Sequence, residues 1–258
     1  MSTDLPLARR DAIAARLALG EPVVANMLAA EFAVSEDAIR RDLRALAAEG
    51  LCRRVYGGAL PLSPAMRPLA ERADEACERK RALARAAAAT IRPGEFLFLD
   101  SGSANLALAR LLPEDAELVV ATNSVDIAAA VLARPDVRLI LVGGVVDPVV
   151  GGCVDAEAVQ CVARMNIERC FVGACAVSAD GGVSAFHPAD ATFKRALVAA
   201  SRLRLVLATT DKLATHAPHR VARIDEIAVL VVEHDADARM LAGLARRGTT
   251  ILKAGPPG

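Results

Sequence analysis

The stretch AIRRDLRALAAEGLCRRVYGGAL, residues 38–60, holds five arginines and runs into a glycine pair. On a helical wheel Ile39, Leu43 and Leu46 share one side, and Arg40, Arg41 and Arg44 point away from it. Ser35 stands just upstream as a suitable N-cap. Glu36 and Asp37 occupy the first turn, where the helix dipole favours acids. Gly50 ends the helix. Residues 51–55 read as a strand and Gly57-Gly58 as a turn, so Arg53 and Arg54 sit on one arm of a hairpin.

Upstream, residues 7–19 carry Ile13 and Leu17 at helical spacing, and Gly20-Glu21-Pro22 breaks the run. Residues 24–32 predict a second short helix, followed by a tight turn at Ala33-Val34. Two helices, a turn, then a helix with an arginine face is the order of a helix-turn-helix. Its second helix lies in the major groove of double-stranded DNA, and the hairpin would be a wing on the backbone. Arginine suits both tasks, because its fork binds guanine edges or clamps phosphates. Ordinary solvated arginines are the alternative. Residues 1–60 hold eight arginines, no lysine and eight acids, so charge by itself does not choose.

The run VSEDAIRRDLRALAAEGLCRRVYGGAL, residues 34–60, resembles the N-terminal signature of the DeoR family of bacterial transcriptional regulators, roughly V-S-x-x-T-I-R-R-D-L-x-x-L-x-x-x-G-x-L-x-R-x-H-G-G-A. Ser35, Ile39, Arg40, Arg41, Asp42, Leu43, Leu46, Gly50, Arg53, Gly57, Gly58 and Ala59 fall in register. Ala38 replaces the usual threonine and Tyr56 the usual histidine. The resemblance implies DNA contacts by Ser35, Arg40, Arg41, Arg44, Arg53, Arg54 and Tyr56.

The bulk numbers are compatible with this. Lys+Arg and Asp+Glu both total 31 in 258 residues, so net charge names no partner. Hydrophobic residues make up 54% and aromatics 3%, so the core is built from Ala, Val and Leu, as suits a compact α/β protein. No charge-free run reaches the roughly 18 residues of a membrane span, and no membrane partner is expected. Asp4 and Asp11 with no apolar run argue against a secretory signal. Cys52, Cys77, Cys153, Cys161, Cys170 and Cys175 include no CxxC pair. Reduced thiols in a cytoplasmic protein are expected, without a metal.

Residues 61–68, PLSPAMRP, hold three prolines and mark a joint. The expected organisation is a winged helix-turn-helix domain over 1–60, a linker over 61–72 and a second domain over 73–258. From about Ala73 a long alanine-rich helix is predicted up to Pro93-Gly94. Then seven apolar runs follow: 96–100, 118–122, 137–144, 169–174, 203–209, 228–232 and 249–253, most of them separated by helical patterns. Buried parallel strands with helices on both faces read this way, so the fold class is α/β with a doubly wound sheet.

FLFLDSGSANLALARLL, residues 96–112, is a strand, a Gly/Ser loop and a helix. Loop amides and a helix N-terminus favour an anion there, and ligands bind at the carboxyl ends of parallel strands. Asp100, Ser101, Gly102, Ser103 and Ala104 form this loop, which is equally readable as a plain turn. Thr122, Asn123 and Ser124 end the next strand, Gly143 and Gly144 the third, and Asp211 and Lys212 a later one. With no GxGxxG or GxxxxGK[ST], no nucleotide cofactor is expected. The HxxH at His216 and His219 has a proline inside and does not present both rings on one helix face.

This order also resembles the DeoR effector domain, whose landmarks run D-S-G-T-T, T-N-S, G-G, F-x-G-A, K-R-A and S-S-K. The matching segments are DSGSA (100–104), TNS (122–124), GG (143–144), FVGA (171–174), FKRAL (193–197) and TTDK (209–212), so the resemblance runs from about residue 7 to 253. It implies a domain folded like ribose-5-phosphate isomerase that binds a phosphorylated sugar. The DSGSA loop and Lys212 would hold the phosphate, with Asn123, Gly144, His187, Asp190 and Lys194 nearer the sugar. Ala104 replaces a threonine, Asp155 a common glycine, and His187-Pro188 stand where many members carry acids. The implied protein is a repressor of a sugar operon acting as a dimer or tetramer. The alternative is a sugar-phosphate isomerase-like enzyme, which needs a positioned carboxylate base. Asp100, Asp155, Asp190 and Asp211 are the acids available.

Overall fold

A computed structural model describes residues 6–18, 23–49, 51–61, 67–73 and 75–257. The chain divides into two compact units, 1–64 and 65–258.

In the first unit α1 (Pro6–Ala18) is followed by β1 (Val23–Val24), α2 (Ala25–Glu31), α3 (Glu36–Ala48), β2 (Cys52–Val55) and β3 (Gly58–Pro61). Ile39, Leu43 and Leu46 of α3 are buried against Ile13, Leu17 and Leu28, so the apolar side of the wheel is the core. The turn between α2 and α3 closes through Ala33 at a φ of 50°. Ser35 caps α3, its Oγ accepting from Ala38 N at 3.3 Å. Arg9 Nε donates to Asp42 at 2.6 Å and ties α1 to α3. Gly50, expected to stop α3, lies outside the described residues.

The wing has one strand more than the sequence predicts. β1 pairs with β3 antiparallel, Val24 against Gly58, giving the order β1-β3-β2. A two-residue strand has no periodicity to read. Gly58 is required by this packing, because a Cβ there would lie 2.1 Å from the Val23 carbonyl oxygen. Gly58→Ala should therefore push β1 off the wing and destabilise this unit by about 1–3 kcal/mol, as overpacking does. Unchanged resistance to denaturant would show that the close approach is not maintained.

The second unit opens with α4 (Leu69–Ala73) and α5 (Cys77–Ala88). One long helix from Ala73 was the expectation; instead Ala76, at φ 49° and ψ 38°, separates two. Residues 67–72, expected in the linker, belong to this unit. Leu69 is buried against Gly151, and its amide donates to Val149 O at 3.1 Å. Residues 62–66 of the expected joint lie outside the described residues.

There follow β4 (Phe96–Leu99), α6 (Ser103–Ala109), β5 (Val119–Thr122), α7 (Val125–Leu132), β6 (Arg138–Leu141), β7 (Val146–Asp147), β8 (Gly152–Cys153), α8 (Ala156–Ala163) and β9 (Ile167–Val172). β10 (Ala176–Ser178), β11 (Gly182–Ala185), α9 (Pro188–Ala199), β12 (Ser201–Ala208), β13 (His219–Ala222), β14 (Val229–Val232), α10 (Ala238–Ala245) and β15 (Thr250–Lys253) complete it. The seven apolar runs form one parallel sheet in the order β15-β14-β12-β9-β4-β5-β6. Alternate residues feed two cores. Phe98 packs with Phe193 and Leu197 of α9 on one face. Leu97 and Leu99 pack with Leu83 of α5 and Leu106 of α6 on the other. This is the doubly wound α/β arrangement, and it brings the loops after β4, β9 and β12 to one edge. Two small antiparallel pairings, β10-β11-β13 and β7-β8, lie outside the sheet.

Candidate functional site

In the first unit Arg40, Arg41, Arg44 and Arg54 are exposed, and Tyr56 stands fully out of the wing at 107% relative exposure. They are not equivalent. Arg40 is engaged on its own helix, 2.9 Å from Glu36 and 3.5 Å from Asp37. Arg41 and Arg44 make no ion pair among the described residues, so their donors are available to a polyanion. The Arg53 side chain lies outside the described residues. Helix α3 and the wing thus each present exposed cations, with Arg40, Arg54 and Tyr56 along one groove, while Asp42 of the same motif serves the fold.

The second unit carries a cleft at the carboxyl ends of β4, β9 and β12, the edge of a parallel α/β sheet where ligands bind. Ser101, Gly102, Ser103, Ala104, His187, Asp190, Lys194 and Lys212 all line it, as the sequence predicts. Its floor is an ionic cluster. Lys194 Nζ lies 2.9 Å from Asp100 and also bonds Asp190, one turn away on α9. Asp100 further accepts from Gly173 N at 2.7 Å. Burial opposes the Lys194 charge, but Asp100 and Asp190 together outweigh it and hold the ammonium above the ordinary lysine range. Burial lifts the Asp100 carboxyl above its usual range, against the pull of Lys194.

Several predicted residues lie elsewhere. Asp100 is buried beneath the cleft, and Thr122, Asn123 and Ser124 are fully buried and spent on the backbone. Thr122 Oγ1 donates to Leu99 O at 2.6 Å, and Asn123 accepts from Ser101 N at 3.2 Å while donating to Cys153 O at 3.1 Å. Ser124 caps α7. Of these, Asn123 holds the DSGSA loop, through the Ser101 amide. Gly143 and Gly144 stand away from the lining; a Cβ at Gly144 would meet Asp155 at 2.5 Å, so that glycine accommodates the carboxylate. Asp155 itself caps α8 and accepts from Val145 N at 2.7 Å, and these amides hold its pKa low. Asp211 is exposed beside the cleft.

Sequence reasoning missed Arg72, Asn105 and Cys175 in the lining. Asn105 donates to both Asp100 O and Phe171 O at 2.8 Å, fastening β4 to β9. Arg72 hides in the apparent linker. Burial, then the nearby Arg72 and Lys194, hold Lys212 below the ordinary lysine range, against the pull of Cys175 and Asp211. His187 Nε2 is buried with no hydrogen-bond partner among the described residues, at the lip of the same cleft. Among the described residues no group of three or more His, Cys, Asp or Glu could hold a metal, and no helix is long and apolar enough to cross a membrane. Cys52, Cys153 and Cys170 are buried thiols.

Comparison with known proteins covers both units. Residues 9–64 match the DeoR-like helix-turn-helix domain and residues 75–234 the DeoR C terminal sensor domain. A protein of Escherichia coli O157:H7 named for transcriptional repression of the aga operon is 28% identical over 96% of this chain and 93% of its own. The glycerol-3-phosphate regulon repressor of E. coli K12 is 30% identical over 74% of this chain and 76% of its own. Among solved structures, ribose 5-phosphate isomerase A from Methanocaldococcus jannaschii aligns over 52% of this chain and 53% of that one, about half its length. The identity is 14% and the TM-score 0.39, a likeness too partial to speak for activity. With both of its units matched in order, the chain belongs to the DeoR family of transcriptional regulators.

Proposed function

We propose that this regulator is a cytoplasmic repressor of a sugar or carbohydrate operon whose DNA binding responds to a phosphorylated sugar in the second-unit cleft. The observation that carries it is one chain holding both an unpaired Arg41–Arg44 face and a cleft lined by Arg72 and Lys212. The names of the two bacterial relatives, repressors of the aga operon and of the glycerol-3-phosphate regulon, support the substrate class. Ser101, Ser103 and Lys212 are proposed to take the phosphate, and His187 with its free buried nitrogen a sugar hydroxyl. Asp190 and Lys194 shape the floor. A helix-turn-helix reads two half-sites through a two-fold, so the working form is at least a dimer. The open edge strand β6 and the adjoining α7 expose Val125, Leu132, Ile140 and Leu141, an apolar strip available for a second copy. Ligand binding shifts DNA affinity only by binding one arrangement better than the other.

The test is fluorescence anisotropy of labelled DNA from upstream of this protein's own gene, with and without a panel of sugar phosphates. Salt-sensitive binding relieved by one sugar phosphate is the expected result. Binding to that DNA with no response to any member of the panel would refute the sensor reading. The isomerase reading has less support. Among the described residues Asp190 is the one carboxylate in the lining, and it is already paired with Lys194. NMR of sugar phosphates held with the protein should show no isomerisation or carbon-bound proton exchange.

A further inference from the structure

Helix α4 has five residues, far too few to stand by itself, and lies outside both matched family domains, which cover 9–64 and 75–234. It is nevertheless seated on the cleft. Leu69 packs on Gly151 and bonds Val149, and Val149 and Val150 are themselves part of the lining. Lys80 of α5 donates to the Arg72 carbonyl, and the Arg72 Nε donates to Arg67 O at 2.7 Å. Arg67 in turn pairs with Glu75. The side chain of Arg72 reaches the lining that Lys212 reaches from β12's far end.

The electrostatics of this corner are unbalanced. Burial holds Arg72, Lys80 and Lys212 below their ordinary values, and each is depressed further by a neighbouring cation: Arg67 for Arg72, Lys212 for Lys80, and Arg72 for Lys212. Of the nearby acids, Asp190 is bound to Lys194 and Glu75 to Arg67, and exposed Asp211 offsets part of the burden on Lys212 without bringing it back to its ordinary value. An arginine fork and a lysine ammonium on one cleft wall can share the oxygens of a phosphate, and the fork fixes orientation as well as charge.

We propose that Arg72 is a ligand-binding residue, and that a phosphate group shared by Arg72 and Lys212 locks helix α4 onto the sensor cleft. This rests on the reading of the cleft as a phosphate site. α4 is the first described element after the N-terminal unit, so occupancy of the cleft becomes a restraint on the chain leading out of that unit. The segment that looks like a linker is then part of the sensor.

The test uses the full chain and inorganic phosphate, with chloride at matched ionic strength as the reference. In hydrogen–deuterium exchange, phosphate should slow the amides of residues 67–73 together with those of the cleft loop 100–105. Arg72→Met should abolish the slowing at 67–73. Its phosphate affinity by calorimetry should fall about ten- to hundredfold, the factor a charge-assisted hydrogen bond is worth. Arg72→Lys should restore part of the affinity, which a merely structural role for Arg72 would not predict. Arg67→Met loosens α4 without removing a cleft residue and should leave the affinity within about twofold, below the effect of any charged hydrogen bond. Slowing at 100–105 with none at 67–73, or undiminished affinity in Arg72→Met, overturns the proposal and leaves the cleft reading standing. No slowing and no heat in the wild type overturns the cleft reading and this proposal with it.

Discussion

Lys194→Met should lower the thermal midpoint of the second unit by about 10 °C at pH 8. The substitution keeps the volume of the side chain and removes its charge. Asp100 and Asp190 then face each other, 0% and 3% exposed, with no cation between them. Removing one partner of a buried ion pair costs about 3–5 kcal/mol, because the charge left behind is uncompensated. For a unit of this size each kcal/mol moves the midpoint by about 2–4 °C. The pH dependence gives the sign. Without Lys194 the folded-state pKa of Asp100, already raised by burial, rises further above its unfolded value. Such a group contributes stability that is present below the unfolded pKa and is lost as pH rises through the folded one. The deficit should therefore shrink at pH 5 and be largest at pH 8. Asp100→Asn added to Lys194→Met should recover part of the loss, since it removes one of the opposed charges. Calorimetric melts of the three proteins decide it. A loss below about 1 kcal/mol, the scale of an exposed pair, would mean that water reaches the cluster and that the floor is not a buried ion network.

The second large effect is on DNA. If all five arginines of residues 38–60 met phosphates, a dimer would make about ten contacts and log K would fall against log salt with a slope near −9. The structure lowers that figure. Arg40 is held by Glu36 and Asp37 and the Arg53 side chain lies outside the described residues, so the count is made on Arg41, Arg44 and Arg54, exposed and free of such a pairing among the described residues. Three contacts in each of two copies give a slope of about −5. The double variant Arg41→Ala/Arg44→Ala should flatten the slope to about −2 and weaken binding by about a thousandfold near 0.1 M salt. Neither side chain pairs with anything described, so the melting temperature should hold. Unchanged affinity would remove α3 from the DNA interface, and an unfolded variant would make these arginines structural.

The sequence by itself determined the two-unit plan and most of the architecture. Ile39, Leu43 and Leu46 alternate with arginines at the helical period, so the buried and charged sides of α3 follow from local spacing. Each of the seven apolar runs became a strand of the parallel sheet; the inner strands are apolar because both of their faces are buried, while the edge strands β6 and β15 are apolar yet largely open. The loop at 100–104 and Lys212 stood out as small and charged groups at strand ends, His187 and Lys194 only through the family resemblance, and all of them line the cleft. The tertiary structure decided which motif residues serve the fold. Thr122, Asn123 and Ser124 look like ligand groups in sequence, but neighbouring backbone absorbs their hydrogen bonds. Asp155 looks like an added charge near the ligand and is a helix cap. The strands β1, β7, β8 and β10, of two or three residues, carry too few for a period to show, and β11 and β13 lack a continuous apolar run. Arg72 was the deepest omission, since a Pro-rich stretch reads as linker until Leu69 is seen packed on Gly151. Periodicity is a local property and is written in the chain. Burial and pairing depend on segments that meet only after folding, and these decide whether a polar residue faces a ligand or its own backbone.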